Sequence, residues 1–263
     1  MTFESGARMV DTLLMLHSLV LCFWFLVSSV AQAGEPVYHV VFDIDWTLTS
    51  VVDVARDHWQ WVKVKDETYR VADHLGALMK KLADDPTVKI SFFSGGNRAR
   101  NYELLKKIKP PELGGKSLYD IAYKILSQEE LKEIDPHAKH WANRYLKDLK
   151  LVSPDLKNVI LVDDARGFIT HNHGKGIWLG KTYRYFDTYE EVIAARKLQN
   201  SIYIPPSREA WLADRNRLVR VDGILQDSLK AAKERRGAFA NLVVQRSKQN
   251  CLTNILGVSF KKP

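Results

Sequence analysis

The chain has 263 residues, 46% of them apolar and 27% charged, values that exclude a disordered chain and a multi-span membrane protein. Its length suits one α/β domain with an appendage. The formal charge of +8 is unevenly placed: from Pro205 onward twelve Lys and Arg stand against five Asp and Glu.

At the N-terminus Arg8 precedes an apolar run from Leu13 to Val30 that ends at Ala31-Gln32-Ala33, a small-x-small cleavage pattern. Residues 1–33 are therefore expected to be a signal peptide cleaved near Ala33, giving a periplasmic or secreted protein that starts near Gly34. If uncleaved, Val10 to Val30 would act as a membrane anchor, since roughly 20 apolar residues cross a bilayer, although Asp11 and His17 weaken that span. Cys22 would leave with the leader, so Cys251 stands alone and no disulfide framework exists.

Val37 to Phe42 is a continuous β-branched and aromatic run that stops at Asp43, the pattern of a strand buried on both faces. His58 to Val71 alternates apolar and charged residues around Lys65-Asp66, which predicts a hairpin overhanging the end of that strand as a flap. Ala72, Leu75, Leu78, Met79 and Leu82 keep helical spacing, Val88–Phe93 is a second buried run ending at Ser94, and Trp141, Tyr145, Leu146 and Leu149 predict another helix. Val159–Val162 is a third buried run, ending at Asp163-Asp164. Alternating strands and helices predict a doubly wound parallel sheet over residues 34–204, in which the polar residues closing the strands converge on one crevice. Pro205-Pro206 then opens a basic helical extension over 205–263, where Trp211, Leu218, Val221, Leu225 and Leu229 form an apolar stripe.

Asp43 and Asp45 are two residues apart at a strand end, a spacing that puts both carboxylates on one side; one can attack phosphorus while the other exchanges protons. Asp163 and Asp164 would repel each other without a cation, and Mg²⁺ fits two hard carboxylates plus a substrate phosphate. His171 and His173 alone make an incomplete zinc site and read as loop residues. Trp59, Trp61 and Tyr69 on the flap are candidates for stacking on a base or aromatic leaving group, or for packing the flap onto the domain.

The order Asp43-x-Asp45-x-Thr47, Ser94, Lys147, Asp163-Asp164 resembles the four motifs of the haloacid-dehalogenase (HAD) phosphatases. Lys147-Asp148-Leu149 and the run from Asp155 to Asp164 resemble the FCP/SCP-type, or NLI-interacting-factor-like, branch. The resemblance covers about residues 37–180 and implies a Rossmann-like fold with a minimal cap and a phosphatase acting through an aspartyl-phosphate. It implies Asp43 as nucleophile and Mg²⁺ ligand, Asp45 as acid/base whose backbone carbonyl reaches the metal, and Thr47 as support for both. Ser94 would bind the phosphoryl group, Gly95 would leave room for the backbone to approach it, Asp164 would be a direct metal ligand and Asp163 its partner. Lys147 would neutralise the phosphoryl group, with Lys150 as the alternative lysine.

Trp46 stands where that branch commonly has an acid, and Ser94-Gly95-Gly96 replaces a Thr-led segment. Only ~40 residues separate the first two motifs, too few for a large cap, and Leu113 to His137 has room for a small helical addition at most. An open site suits a phosphate monoester on a macromolecule or a small molecule. Two other readings stay open: a silent binding protein for an anionic envelope partner, and phosphotransfer to an acceptor other than water. In the tail, Arg215, Arg220, Lys233, Arg235 and Arg236 are expected to face an anionic surface.

Overall fold

In the computed structural model of the protein, residues 36–256 are described, residues 250–256 by their backbone alone. The first half of the described chain runs through β1 (Tyr38–Phe42), β2 (Thr49–Val52), β3 (Trp61–Val64), β4 (Glu67–Val71), α1 (Leu75–Asp84), β5 (Val88–Phe93), α2 (Arg98–Lys107) and β6 (Ala122–Leu126). It continues through β7 (Lys132–Glu133), α3 (Trp141–Arg144), β8 (Tyr145–Leu146), β9 (Val159–Asp163), α4 (Arg166–His171), β10 (Gly176–Trp178), α5 (Tyr189–Leu198), α6 (Arg208–Arg215), α7 (Arg217–Lys233) and α8 (Phe239–Leu256).

All five residues of β1 and all five of β9 are buried, which is why both lie inside the sheet. The sheet is wholly parallel in the order β10-β9-β1-β5-β6, with Val40 opposite Ile90 on one side and Ile160 on the other. After β1 the chain builds outward through β5 and β6, then returns to place β9 against the opposite edge of β1. The order therefore reverses between β1 and β9, and a crevice opens beyond their carboxyl ends. Asp43 follows β1 directly and Asp163 closes β9, so topology alone brings them together.

The two edge strands were not legible as apolar runs. β6 is half-exposed along its length and β10 has three residues, because an edge strand buries less side chain than a central one. The segment between Leu113 and His137, which had room for a small helical addition at most, holds β6, β7 and a 3-10 turn at Gln128–Glu130. The helix expected through Trp141 to Leu149 also breaks: α3 ends at Arg144, β8 pairs with β7, and Asp148 caps a 3-10 turn at Leu149–Leu151 by accepting the Lys150 N–H.

The predicted hairpin is β3–β4, turning at Lys65 with φ 53°, and β2 joins it in a three-stranded antiparallel sheet ordered β2-β4-β3. Its inner residues Val62, Val64, Tyr69 and Val71 belong to the main core, and Trp59 packs against it. Tyr69 is only 3% exposed, which removes it from any stacking platform and leaves it to fasten the flap.

The tail shares that core. Leu218, Val221, Ile224, Leu225 and Leu229 of α7 and Phe239, Ala240 and Val243 of α8 join the cluster that contains Tyr38 and Phe42, and the Phe239 ring lies 5.2 Å from that of Tyr38. Of the five tail cations expected to face outward, Lys233, Arg235 and Arg236 are exposed, whereas Arg215 and Arg220 are part-buried, and four of the five have acceptors within the chain. Arg215 pairs with Asp73 at 2.6 Å, Lys233 with Asp85 at 2.5 Å and Arg236 with Glu234 at 2.8 Å, while Arg220 donates to the Leu179 carbonyl at 2.8 Å. Among the described residues no helix is long and apolar enough to cross a membrane, and the predicted leader lies outside them.

Because Phe239 fills core space against β1, Phe239→Ala should destabilise the protein by about 3–5 kcal/mol in denaturant unfolding. A loss below about 1 kcal/mol would show that the extension is not part of the cooperative unit.

Candidate active site

The loop after β1 turns back within a few residues. The N–H groups of Leu48 and Thr49 both donate to the Ile44 carbonyl at 2.9 Å, and Trp46 takes the left-handed conformation at φ 62°. This turn separates the two carboxylates into different hydrogen-bond sets rather than leaving them on one extended face.

Asp43 is held by Lys147. The lysine is 1% exposed, and its Nζ donates to Asp43 Oδ1 at 2.6 Å and to Asp163 Oδ2 at 2.7 Å, while the Phe168 ring lies 4.5 Å from it. Burial opposes the charged amine, but Asp163 and Asp43 more than compensate and hold it protonated, well above its ordinary value. Asn172 fixes the backbone beneath it, donating to the Lys147 carbonyl at 3.0 Å. The exposed Lys150 takes no part, so the choice between the two lysines falls on Lys147. It arrives from the irregular segment between β8 and the 3-10 turn, not from a helix.

The second acidic motif divides its labour. Asp163 is fully buried, with Oδ2 bound to Lys147 and Oδ1 accepting the Ala165 N–H at 2.8 Å, so both oxygens are engaged. Asp164 is half-buried and, among the described residues, makes no ion pair. Its N–H donates to Thr47 Oγ1 at 3.2 Å and its carbonyl accepts the Trp178 indole N–H at 2.9 Å, which fixes its position from both sides. Burial, then the charge of Asp163, pushes the Asp164 carboxyl up to about 7, with Lys147 and Arg217 opposing. Burial likewise raises Asp43, against the pull of Lys147.

Carboxylate oxygens of Asp43, Asp163 and Asp164 lie within 4.8 Å of one another, forming a cluster that could hold a metal ion. Three carboxylates against one ammonium leave an excess of negative charge among hard oxygen donors, a set that fits a divalent cation of the magnesium or calcium kind. His171 and His173 are not in the cluster; His171 contacts the Tyr145 carbonyl. The Asp45 side chain is also outside it, which is compatible with the role first given to its backbone carbonyl.

Asp45 sits across the crevice. Its Oδ2 accepts from Ser94 Oγ at 2.9 Å, and Arg100 grips both oxygens, at 2.7 and 2.6 Å. The Ser94 hydroxyl, expected on the phosphoryl group, is thus already committed to Asp45 and to the Gly96 N–H, which donates to it at 3.0 Å. The clearance at Gly95 is used by a side chain rather than by a ligand, for a Cβ there would lie 2.1 Å from the Trp141 ring.

Three contributors escaped the sequence reading. Arg100 lies in the first turn of α2, and the Asn97 cap, whose side chain accepts the Arg100 N–H at 2.9 Å, was the available signal that this turn faces the strand ends. Trp178 sits on the short edge strand. Arg217, buried at the start of α7, donates to the Thr47 carbonyl at 3.3 Å and pairs with Asp214 at 2.9 Å, tying the extension to the loop after β1.

The raised Asp164 carboxyl makes a signed prediction for the metal-free protein. The folded state holds this proton more tightly than the unfolded chain, whose value is 3.8, so the Asp164 contribution to stability falls as pH rises from about 4 to about 7. Melting temperatures measured in EDTA across that range should fall less steeply for Asp164→Asn than for wild type. Parallel curves would refute the assigned strain.

A search of curated proteins finds no match. Among solved structures the chain is similar to Fcp1, described as an essential RNA polymerase II CTD phosphatase, at 14% identity and a TM-score of 0.42, covering 84% of this chain and 66% of that one. A fission yeast RNA polymerase II CTD phosphatase Fcp1 bound to beryllium fluoride gives 15% identity and the same TM-score and coverage. The chain thus spans slightly less than two thirds of the length of these structures. The family model for NLI interacting factor-like phosphatases matches residues 38–193, from β1 into α5, and takes in every site residue named above except Arg217. The chain belongs to the NLI interacting factor-like phosphatase family, within the HAD superfamily.

Proposed function

We propose that the protein is a magnesium-dependent phosphomonoester hydrolase that works through an aspartyl-phosphate on Asp43. The observation that supports this reading best is the buried Lys147, which spends its only charge on Asp43 and Asp163. A lysine so deeply desolvated costs several kcal/mol and is poorly explained by stability alone. It is well explained by the need to hold a nucleophilic carboxylate in one orientation and to receive negative charge beside it.

In the first step the Asp43 carboxylate attacks phosphorus and the bond to the leaving oxygen breaks, with Asp45 supplying the proton that oxygen needs. In the second step Asp45 takes a proton from water, the water oxygen attacks phosphorus, and the bond to Asp43 breaks to release phosphate. The separate hydrogen-bond set of Asp45 suits this division, since it shares neither Lys147 nor Asp163 with the nucleophile. Asp43 and Asp164, with the Asp45 carbonyl, would hold magnesium, and Asp163 would orient the group. When bound, the ion supplies neutralising charge for the phosphoryl oxygens.

The substrate is a phosphate monoester whose phosphoryl group is presented at an uncapped crevice, on a macromolecule or a small molecule. The leader motif of residues 1–33 supports action outside the cytoplasm.

Release of phosphate from a panel of monoesters should require magnesium and stop in EDTA. Asp43→Asn should lose at least about a thousandfold in kcat, because an amide is not a nucleophile. Comparable turnover by wild type and Asp43→Asn would refute the assignment. N-terminal sequencing of protein recovered from cell fractions should find a start near Gly34 outside the cytoplasm, whereas full-length protein in the cytoplasm would overturn the proposed location.

A further inference from the structure

The site carboxylates of this protein are bonded by two cations with opposite characters. Lys147 is 1% exposed and has both of its carboxylate partners in the buried cluster. Arg100 lies toward the opening, 14% exposed, against an Asp45 side chain that is 34% exposed. Its Nη1 takes Asp45 Oδ1 at 2.7 Å and its Nη2 takes Oδ2 at 2.6 Å, while Ser94 adds a third bond to Oδ2 at 2.9 Å. Both oxygens of the proposed acid/base are therefore occupied, although its task requires one of them to face the leaving oxygen. The guanidinium has to give up at least one of these bonds before Asp45 can serve.

The surroundings of Arg100 are shaped for its head group. The Tyr69 ring, brought by β4 of the flap, lies 5.7 Å from the guanidinium carbon. On another side the chain has glycine at position 96, where a Cβ would stand 1.8 Å from Nη2 and 2.4 Å from the guanidinium carbon. A side chain at position 96 would therefore displace the guanidinium from this seat. The result is a planar, two-pronged donor held at the mouth of the crevice by an aromatic ring and a gap in the backbone. A phosphoryl group offers that fork the same two-oxygen face as a carboxylate, with more negative charge.

We propose that Arg100 is a substrate-binding residue for the phosphoryl group, and that its transfer from Asp45 to an arriving phosphate frees Asp45 for proton exchange. This rests on the phosphatase reading above. Before substrate binds, the fork neutralises Asp45. Partial exposure keeps the pair exchangeable, because ion pairs near solvent are weak compared with buried ones. Lys147, locked between two buried carboxylates, cannot make this exchange and stays as a fixed charge.

The test uses the full chain with magnesium, p-nitrophenyl phosphate as substrate and inorganic phosphate as competitive inhibitor. KM and the phosphate inhibition constant should each rise roughly ten- to a hundredfold in R100Q, the effect of losing charge-assisted bonds to an anion. R100K keeps a charge but not the fork, and should give a smaller rise in the same two constants. If R100Q does not fold, as judged by cooperative thermal unfolding, R100K decides alone: a raised phosphate constant supports the proposal and an unchanged one overturns it. A fall in kcat with KM and the phosphate constant unchanged would make Arg100 only a clamp on Asp45, and would overturn it too. Wild-type protein that neither turns over the ester nor binds phosphate would instead overturn the phosphatase reading itself.

Discussion

The ammonium group of Lys147, shut away from water, constrains everything around it. A buried cation is tolerable only where anions meet it, and here Asp43 from the end of β1 and Asp163 from the end of β9 do so at 2.6 and 2.7 Å. Those strands are neighbours in a parallel sheet, so the pairing depends on the reversal of strand order between them. The Lys147 backbone must in turn be brought over the sheet, which explains why the chain from Trp141 to Leu151 is a broken succession of short elements pinned by Asn172 rather than one helix. With Lys147 and the Ala165 N–H satisfying Asp163, excess negative charge falls on Asp43 and Asp164, the two groups best placed for a cation.

The support for this centre reaches beyond the segment matched by the family model. Arg217 opens α7 and holds the carbonyl of Thr47, whose hydroxyl accepts the N–H of Asp164. One residue of the catalytic loop thus receives restraints from the extension and from the second acidic motif. Arg70 of β4 plays a comparable part on the flap, stacked between Trp61 and Tyr185 at 4.4 and 4.0 Å and paired with Asp73 at 2.7 Å, while Asp73 also receives Arg215 of α6. Arg215 and Arg217, which look like part of a solvated basic tail in the sequence, are spent fastening the flap, the loop and the extension to one another.

What could be read from the residues follows from how each one is buried. β1, β5 and β9 are central, so β1 and β9 are buried along their whole length and β5 everywhere but at Lys89; the polar residues that end them, Asp43, Ser94, Asp163 and Asp164, were therefore visible as a converging set. The edge strands carry no such signature, because β6 is only part-buried and β10 is three residues long. Trp141, Tyr145 and Leu149 do meet one small core cluster, the Trp141 ring packing edge-on against Phe168 at 5.5 Å, Tyr145 against the same cluster and Leu149 within it, but they reach it from separate short elements rather than from one helix. Arg100 and Arg217 were hidden for a different reason. An arginine in a charged helix has the same appearance whether it faces water or a carboxylate across the fold, and only tertiary structure separates the two.

The central claim is that Asp43, held by Lys147, carries the phosphoryl group during turnover. It is tested most directly by quenching the enzyme in sodium borohydride while it hydrolyses a monoester in magnesium, then mapping its peptides by mass spectrometry. An acyl phosphate on Asp43 would be reduced, and the account expects conversion to homoserine at that one position, dependent on substrate and absent in Asp43→Asn. Unmodified Asp43 in enzyme sampled at full turnover, or the same reduction at Asp45, Asp163 or Asp164 instead, would contradict it.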